Sequence, residues 1–128
     1  FRLKIPSSYI SDPHIQFMSA NSLGKKDVVV AISQSGTTSA LLDSVRIVRK
    51  SGVKVIGIMP GRTPLADICD YPLTIDVGDN NRLSKPNTSR IAYTAVIDVM
   101  TMGVAQLKPE AQEHLYNIVD SQRSLRVK

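Results

Sequence analysis

Residues 28 to 45 read VVVAISQSGTTSALLDSV. An apolar, β-branched run breaks into Ser33, Gln34, Ser35, Gly36, Thr37 and Thr38, and an amphipathic helical pattern then resumes. The chemistry open to these six residues is the holding of an anion. Hydroxyls on Ser33, Ser35, Thr37 and Thr38 can each donate one hydrogen bond. Gly36 lacks a Cβ and lets a backbone approach a ligand closely. A helix beginning near Thr38 offers free N–H groups and the positive end of its dipole. A capped turn, the plainer alternative, asks for only one hydroxyl and one glycine. Four hydroxyls and a glutamine exceed that need, and the stretch reads as a phosphate cradle built without lysine.

Groups suited to bond-breaking chemistry are thin. His14 lies just inside a helix start and His114 in the turn EAQEHL, where surface or interface positions are the ordinary expectation. Glu110 and Glu113 fall on the polar side of an amphipathic helix, and Cys69 has no companion and reads as a small apolar residue. No His/Cys/Asp spacing suits a metal, and no cofactor is expected. The catalytic set is therefore empty.

The elements that must position the cradle have readable signatures. Val28–Ile32 is continuously apolar, as a strand covered on both faces should be. Val53–Met59 is similar, and Leu73–Val77 alternates like a half-exposed strand near a sheet edge; Pro6–Ile10 is a weaker strand candidate. Asp12-Pro13 is an N-cap plus first-turn proline opening a helix to about Ser22. From Thr38, the residues Leu41, Leu42, Val45 and Val48 make one apolar face, and Gly52 marks the stop. Thr63-Pro64 starts a short helix to about Asp70. A polar loop, Gly78 to Thr88, precedes a long helix from Ser89 to about Leu107, and Pro109 opens a last helix spaced through Ala111, Leu115, Ile118, Gln122 and Leu125. Strands alternating with helices predict a parallel α/β sheet with helices on both faces and a C-terminal helical annex. In such sheets ligands bind beyond the carboxyl ends of the strands, where residues 33–38 fall.

Composition narrows the class. The chain has 128 residues, enough for one domain, and a single cysteine, which excludes an internal disulfide framework and suits a reducing cytosol. Nothing at its start reads as a secretion signal. Ile91–Leu107 carries Asp98 and falls short of the roughly 20 apolar residues a membrane span needs. The net charge of +5 is spread over single or paired basic residues with no aromatic interleaving, so it favours an anionic partner without specifying nucleic acid. The helix Ser89–Leu107 is apolar almost all round, with only Arg90 and Asp98 charged, and requires cover on more than one side, by its own sheet and by a second subunit.

The run DVVVAISQSGTTSALLDSVRIVRKSGVKVIGI, followed by TPLADICDYPLTI, resembles the sugar-isomerase (SIS) domain, a flavodoxin-like, three-layer phosphosugar-binding module. Ser33, Ser35, Gly36 and Thr38 match its Ser-x-Ser-Gly-x-Thr loop. Thr63–Ala66, Asp70 and Leu73–Ile75 match its second hallmark. YISDPHIQFMSA and NTSRIAYTAVIDVM resemble, more narrowly, the effector domain of RpiR-type bacterial transcriptional regulators, including the HexR branch. The resemblance implies that Ser33, Ser35 and Thr38 hold the phosphate of a sugar phosphate, with Gly36 in the loop and Gln34 and Thr37 offering backbone N–H groups. It also implies a cytoplasmic homodimer or higher homo-oligomer paired through the long helix, which reaches DNA only through an upstream helix-turn-helix domain and does not meet a membrane. Arg62, Arg82, Lys85 and Arg90 become candidate cations for an acidic sugar, Arg90 foremost because it follows Thr88-Ser89 at the helix start. The SIS family's first strand, Gly-x-Gly-x-Ser loop and helix have no counterpart here, so residues 1–128 are expected to be an N-terminally incomplete SIS domain. Isomerase members resembling this chain carry glutamate where Thr37 stands. That favours a sensing domain over an aldose–ketose isomerase or a non-binding dimerisation scaffold, the two alternatives.

Overall fold

Asp70 ties the fold together at the amino ends of the strands. In the computed structural model, which describes residues 3–77 and 85–123, strands β1 (Val28–Ile32), β2 (Lys54–Met59) and β3 (Tyr71–Thr74) form a parallel sheet in the order β1-β2-β3. Val30 pairs with Ile56 and Ile32 with Ile58 in one ladder, and Ile58 with Leu73 in the other. The Asp70 carboxylate accepts from the Val55 N–H at 3.0 Å and from Lys54 Nζ at 3.1 Å, while its own N–H donates to the Val55 carbonyl. Arg49 lies 3.8 Å away. This clamp starts β3 at Tyr71, two residues before the expected Leu73, and draws it onto β2.

Helix ends follow the sequence signals. In α1 (Pro13–Ser22) the Asp12 side chain accepts from the His14 and Ile15 N–H groups, as its cap position requires. The next helix, α2 (Ser39–Lys50), ends in a Schellman arrangement: Gly52 at φ 78 donates to the Arg49 carbonyl and Val53 to that of Val48. Thr63 caps α3 (Pro64–Ile68), which stops before Asp70 because Cys69 is already extended. Beyond lie α4 (Lys85–Leu107) and α5 (Pro109–Arg123). The start of α4 precedes the expected Ser89 because Pro86 falls in the first turn, where a missing N–H costs nothing.

Two compact units divide the chain. Residues 9–93 hold the sheet, α1 to α3 and the opening of α4. Their core joins Ala20 of α1, Ala31 of β1, Leu42, Val45 and Val48 of α2, Val55 and Met59 of β2, and Leu65 of α3. Each large aliphatic side chain buried there contributes about 1.5–3 kcal/mol. All of this lies on one face of the sheet. Val28, Val30 and Ile32, on the other face of β1, remain 59%, 46% and 46% exposed. The expectation that β1 is covered on both faces is thus corrected: β1 is an edge strand, and the helices α1 and α2 pack against only its Val29–Ala31 side. No strand forms at residues 6–10, where Pro6 has no N–H to offer a ladder.

The second unit comprises residues 1–8 and 94–128. Within it Ala105 and Ala111 are buried, and the Ala111 N–H donates to the Lys108 carbonyl across the bend between α4 and α5. Val99, Met102 and Leu107 stay exposed.

The backbone and Lys54 hydrogen bonds hold the Asp70 carboxyl below its ordinary range, so its contribution to stability is present above the unfolded pKa near 4 and is lost as pH falls through the folded value. Asp70→Asn should therefore melt lower than the wild type at pH 7, and the gap should close in melts run at progressively lower pH below 4.

Candidate functional site

The loops that follow the three strands are bonded to one another. Ser33 continues β1 by donating its N–H to the Ile58 carbonyl at 3.0 Å. The chain then turns, and the Gly36 N–H donates back to Ser33 Oγ at 3.0 Å. Ser33 and Gly36 are buried, while Gln34, Ser35, Thr37 and Thr38 are exposed. Ser35 Oγ accepts from both the N–H and the hydroxyl of Thr37, at 3.3 and 3.0 Å. Used as acceptors, the Ser33 and Ser35 hydroxyls keep their own protons available to donate.

Gly36 sits at φ 65, a left-handed conformation that strains any residue bearing a Cβ. A Cβ there would also overlap the Thr63 side chain. The space where that Cβ would stand is filled by the Thr63 side chain. Thr63 is itself fixed: its hydroxyl donates to the Pro60 carbonyl at 3.0 Å and accepts from the Ala66 N–H at 3.4 Å. The Leu65 N–H donates to the Gly36 carbonyl at 3.1 Å, closing the bond between the two loops. After β3, Asp76 Oδ1 accepts from the Gly61 N–H at 2.9 Å, which brings in the third loop.

Thr38 is the N-cap of α2, yet its side chain makes no cap hydrogen bond. The first-turn N–H groups of a helix have no intrahelical partner. Here they emerge beside a free hydroxyl, at the positive end of a twelve-residue helix. The arrangement can receive a tetrahedral anion through hydroxyls and N–H groups.

From α4, the Tyr93 hydroxyl donates to the Ser33 carbonyl at 3.4 Å, and Tyr93 is only 7% exposed. Burial pushes its phenol above the ordinary range, and the Asp76 carboxylate adds to that. Tyr93, Asp76 and the packing role of Thr63 were not evident in the sequence; only the Thr63 cap was. Arg90 is exposed one turn before Tyr93 on α4, and Arg62 is exposed at φ 54 in the loop after β2. Arg82 and the side chain of Lys85 lie outside the described residues. His14 is exposed on α1, outside the loop cluster, and His114, Glu110 and Glu113 belong to the other unit. Cys69 is half-buried against the core, and burial raises its thiol pKa, which disfavours the thiolate. Among the described residues, no group of acidic, histidine or cysteine side chains could hold a metal, and no helix is long and apolar enough to cross a membrane.

The SIS domain family model matches residues 3–103. The HTH-type transcriptional regulator HexR of Escherichia coli (strain K12) is 35% identical over 103 residues, covering 80% of this chain and 36% of HexR. The bifunctional protein glk of Burkholderia thailandensis is 37% identical over 105 residues, covering 82% of this chain and 16% of that protein. The chain thus spans about a third of one relative and a sixth of the other. Among solved structures, the Vibrio vulnificus NanR protein complexed with ManNAc-6P superposes with a TM-score of 0.84 at 18% identity, over 99% of this chain and 48% of that one.

Gly36→Ala adds a Cβ to a left-handed residue and forces it against Thr63. The substitution should cost at least ~2 kcal/mol in urea unfolding, combining backbone strain with overpacking.

Proposed function

The chain belongs to the SIS domain family, and we propose that it is the phosphosugar-sensing and dimerisation domain of an RpiR-type transcriptional regulator. The observation that carries this reading is the amino end of α2, where Thr38 leaves its hydroxyl unspent beside the free first-turn N–H groups. Ser33, Ser35 and Thr38 donate to the phosphate, the Gln34 N–H adds a fourth donor, and Gly36 and Thr37 shape the turn. Arg90 supplies positive charge from α4. Similarity to the regulator HexR supports the regulatory setting. The NanR complex with ManNAc-6P shows a protein of this fold with a phosphosugar bound.

Chemistry argues for binding without turnover. Aldose–ketose isomerisation needs a base to move a proton between adjacent carbons. Thr37 cannot serve as that base near neutral pH, and Asp76, the one carboxylate among the described loop contacts, accepts from the Gly61 N–H. Signalling would proceed by linkage: a sugar phosphate that favours one subunit arrangement shifts the population toward it, and with it the spacing of DNA-binding heads carried elsewhere in the regulator. The exposed apolar residues of α4, Val99 and Met102 among them, supply the surface for pairing with a second copy. Such a regulator works in the cytoplasm.

A thermal-shift screen of phosphosugars tests the reading, because a ligand that binds only the native state raises its melting temperature. Thr38→Val deletes a hydroxyl that the fold does not use. It should leave the unliganded melting temperature nearly unchanged and weaken phosphosugar affinity roughly tenfold to a hundredfold, the scale of one hydrogen bond to a charged group. Ser33→Ala combined with Ser35→Ala should remove the shift altogether. A screen in which no phosphosugar shifts the wild type would leave the dimerisation scaffold, and turnover of any of them would establish an isomerase.

A further inference from the structure

Tyr93 is a buried side chain to which the anion-binding reading gives no task. A buried phenol ordinarily finds a hydrogen-bond partner, and the partner here is the main-chain carbonyl of Ser33, at 3.4 Å. That carbonyl belongs to the peptide unit between Ser33 and Gln34. The unit is planar and, with no cis bond in the described chain, trans, so the Gln34 N–H points opposite to the Ser33 carbonyl. The Ser33 N–H is already committed to Ile58. The Gly36 and Thr37 N–H groups are taken by the loop's own hydroxyls. The Gln34 N–H has no hydrogen-bond acceptor among the described residues, and Gln34 is exposed.

We propose that Tyr93 is a positioning residue for the anion loop: by holding the Ser33 carbonyl it fixes the plane of the Ser33–Gln34 peptide and offers the Gln34 N–H to the bound phosphate. This rests on the phosphosugar-binding reading and adds to it a residue that touches no ligand. Without the phenol hydroxyl, the Ser33 carbonyl loses this partner and the orientation of the Gln34 donor is less tightly set before binding.

The test is an amide NMR titration of the isotope-labelled protein with inorganic phosphate, run on the wild type and on Tyr93→Phe, which keeps the ring and deletes the hydroxyl. In the wild type the Gln34 amide resonance should move on titration. In Tyr93→Phe its response should shrink and the phosphate dissociation constant should rise roughly 3- to 10-fold, the equivalent of one neutral hydrogen bond. A merely structural role would lower the unliganded melting temperature without singling out Gln34. If the Ser35 and Thr38 amides respond but Gln34 does not, or if Tyr93→Phe binds as the wild type does, the positioning role is overturned while the anion site stands. If no loop amide of the wild type responds, the anion site itself fails and takes the positioning role with it. Should Tyr93→Phe not fold, hydrogen exchange of the wild type decides: a Gln34 amide protected before phosphate is added already has a partner, and the proposal falls.

Discussion

The loop cluster depends on one contact, the Thr63 side chain packed into the space that Gly36 leaves empty. Gly36 bends the chain after β1 into a left-handed turn, and Thr63 caps the helix after β2. Their packing, closed by the bond from the Leu65 N–H to the Gly36 carbonyl, makes two separate loops a single body. Neither residue could serve alone. A larger residue at 36 would push the loops apart, and the Thr63 hydroxyl is held in place by Pro60 and Ala66. Around this contact the remaining bonds arrange themselves: Asp76 to Gly61, Ser33 to Gly36, and Tyr93 to Ser33.

The two ends of the sheet are stabilised by different chemistry. At the amino ends, formal charges gather on Asp70, with Lys54 and Arg49 around a carboxylate that also accepts from the backbone. At the carboxyl ends the bonds run mainly through hydroxyls, N–H groups and carbonyls, and Asp76 is the one carboxylate that takes part among the described contacts. The division suits a site for an anion. An anion arriving at that end would meet neutral donors and the positive end of α2.

Much of this was legible in the sequence, and the exceptions share a cause. Asp12-Pro13, Thr63-Pro64 and Gly52 marked helix ends because caps and stops are written in neighbouring residues. The SQSGTT turn was legible for the same reason. Tyr93 was not, since its partner Ser33 lies sixty positions away and nothing local distinguishes a phenol with a hydrogen bond from one without. The ends of β3 were misplaced because Asp70 and Val55, far apart in the chain, decide where it begins. The cover expected on both faces of β1 failed for a similar reason. A run of β-branched residues declares an apolar strand, but how many neighbours a strand has is a property of the sheet.

The exposed side of β1 carries a consequence for how the chain behaves in concentrated solution. Val28, Val30 and Ile32 line a bare, uncharged stripe, and beside them the strand's outer row of N–H and carbonyl groups has no ladder partner among the described residues. Natural sheets blunt such edges with lysine, proline or a bulge, and β1 has none of the three. Left uncovered, it is a template on which another extended backbone can grow.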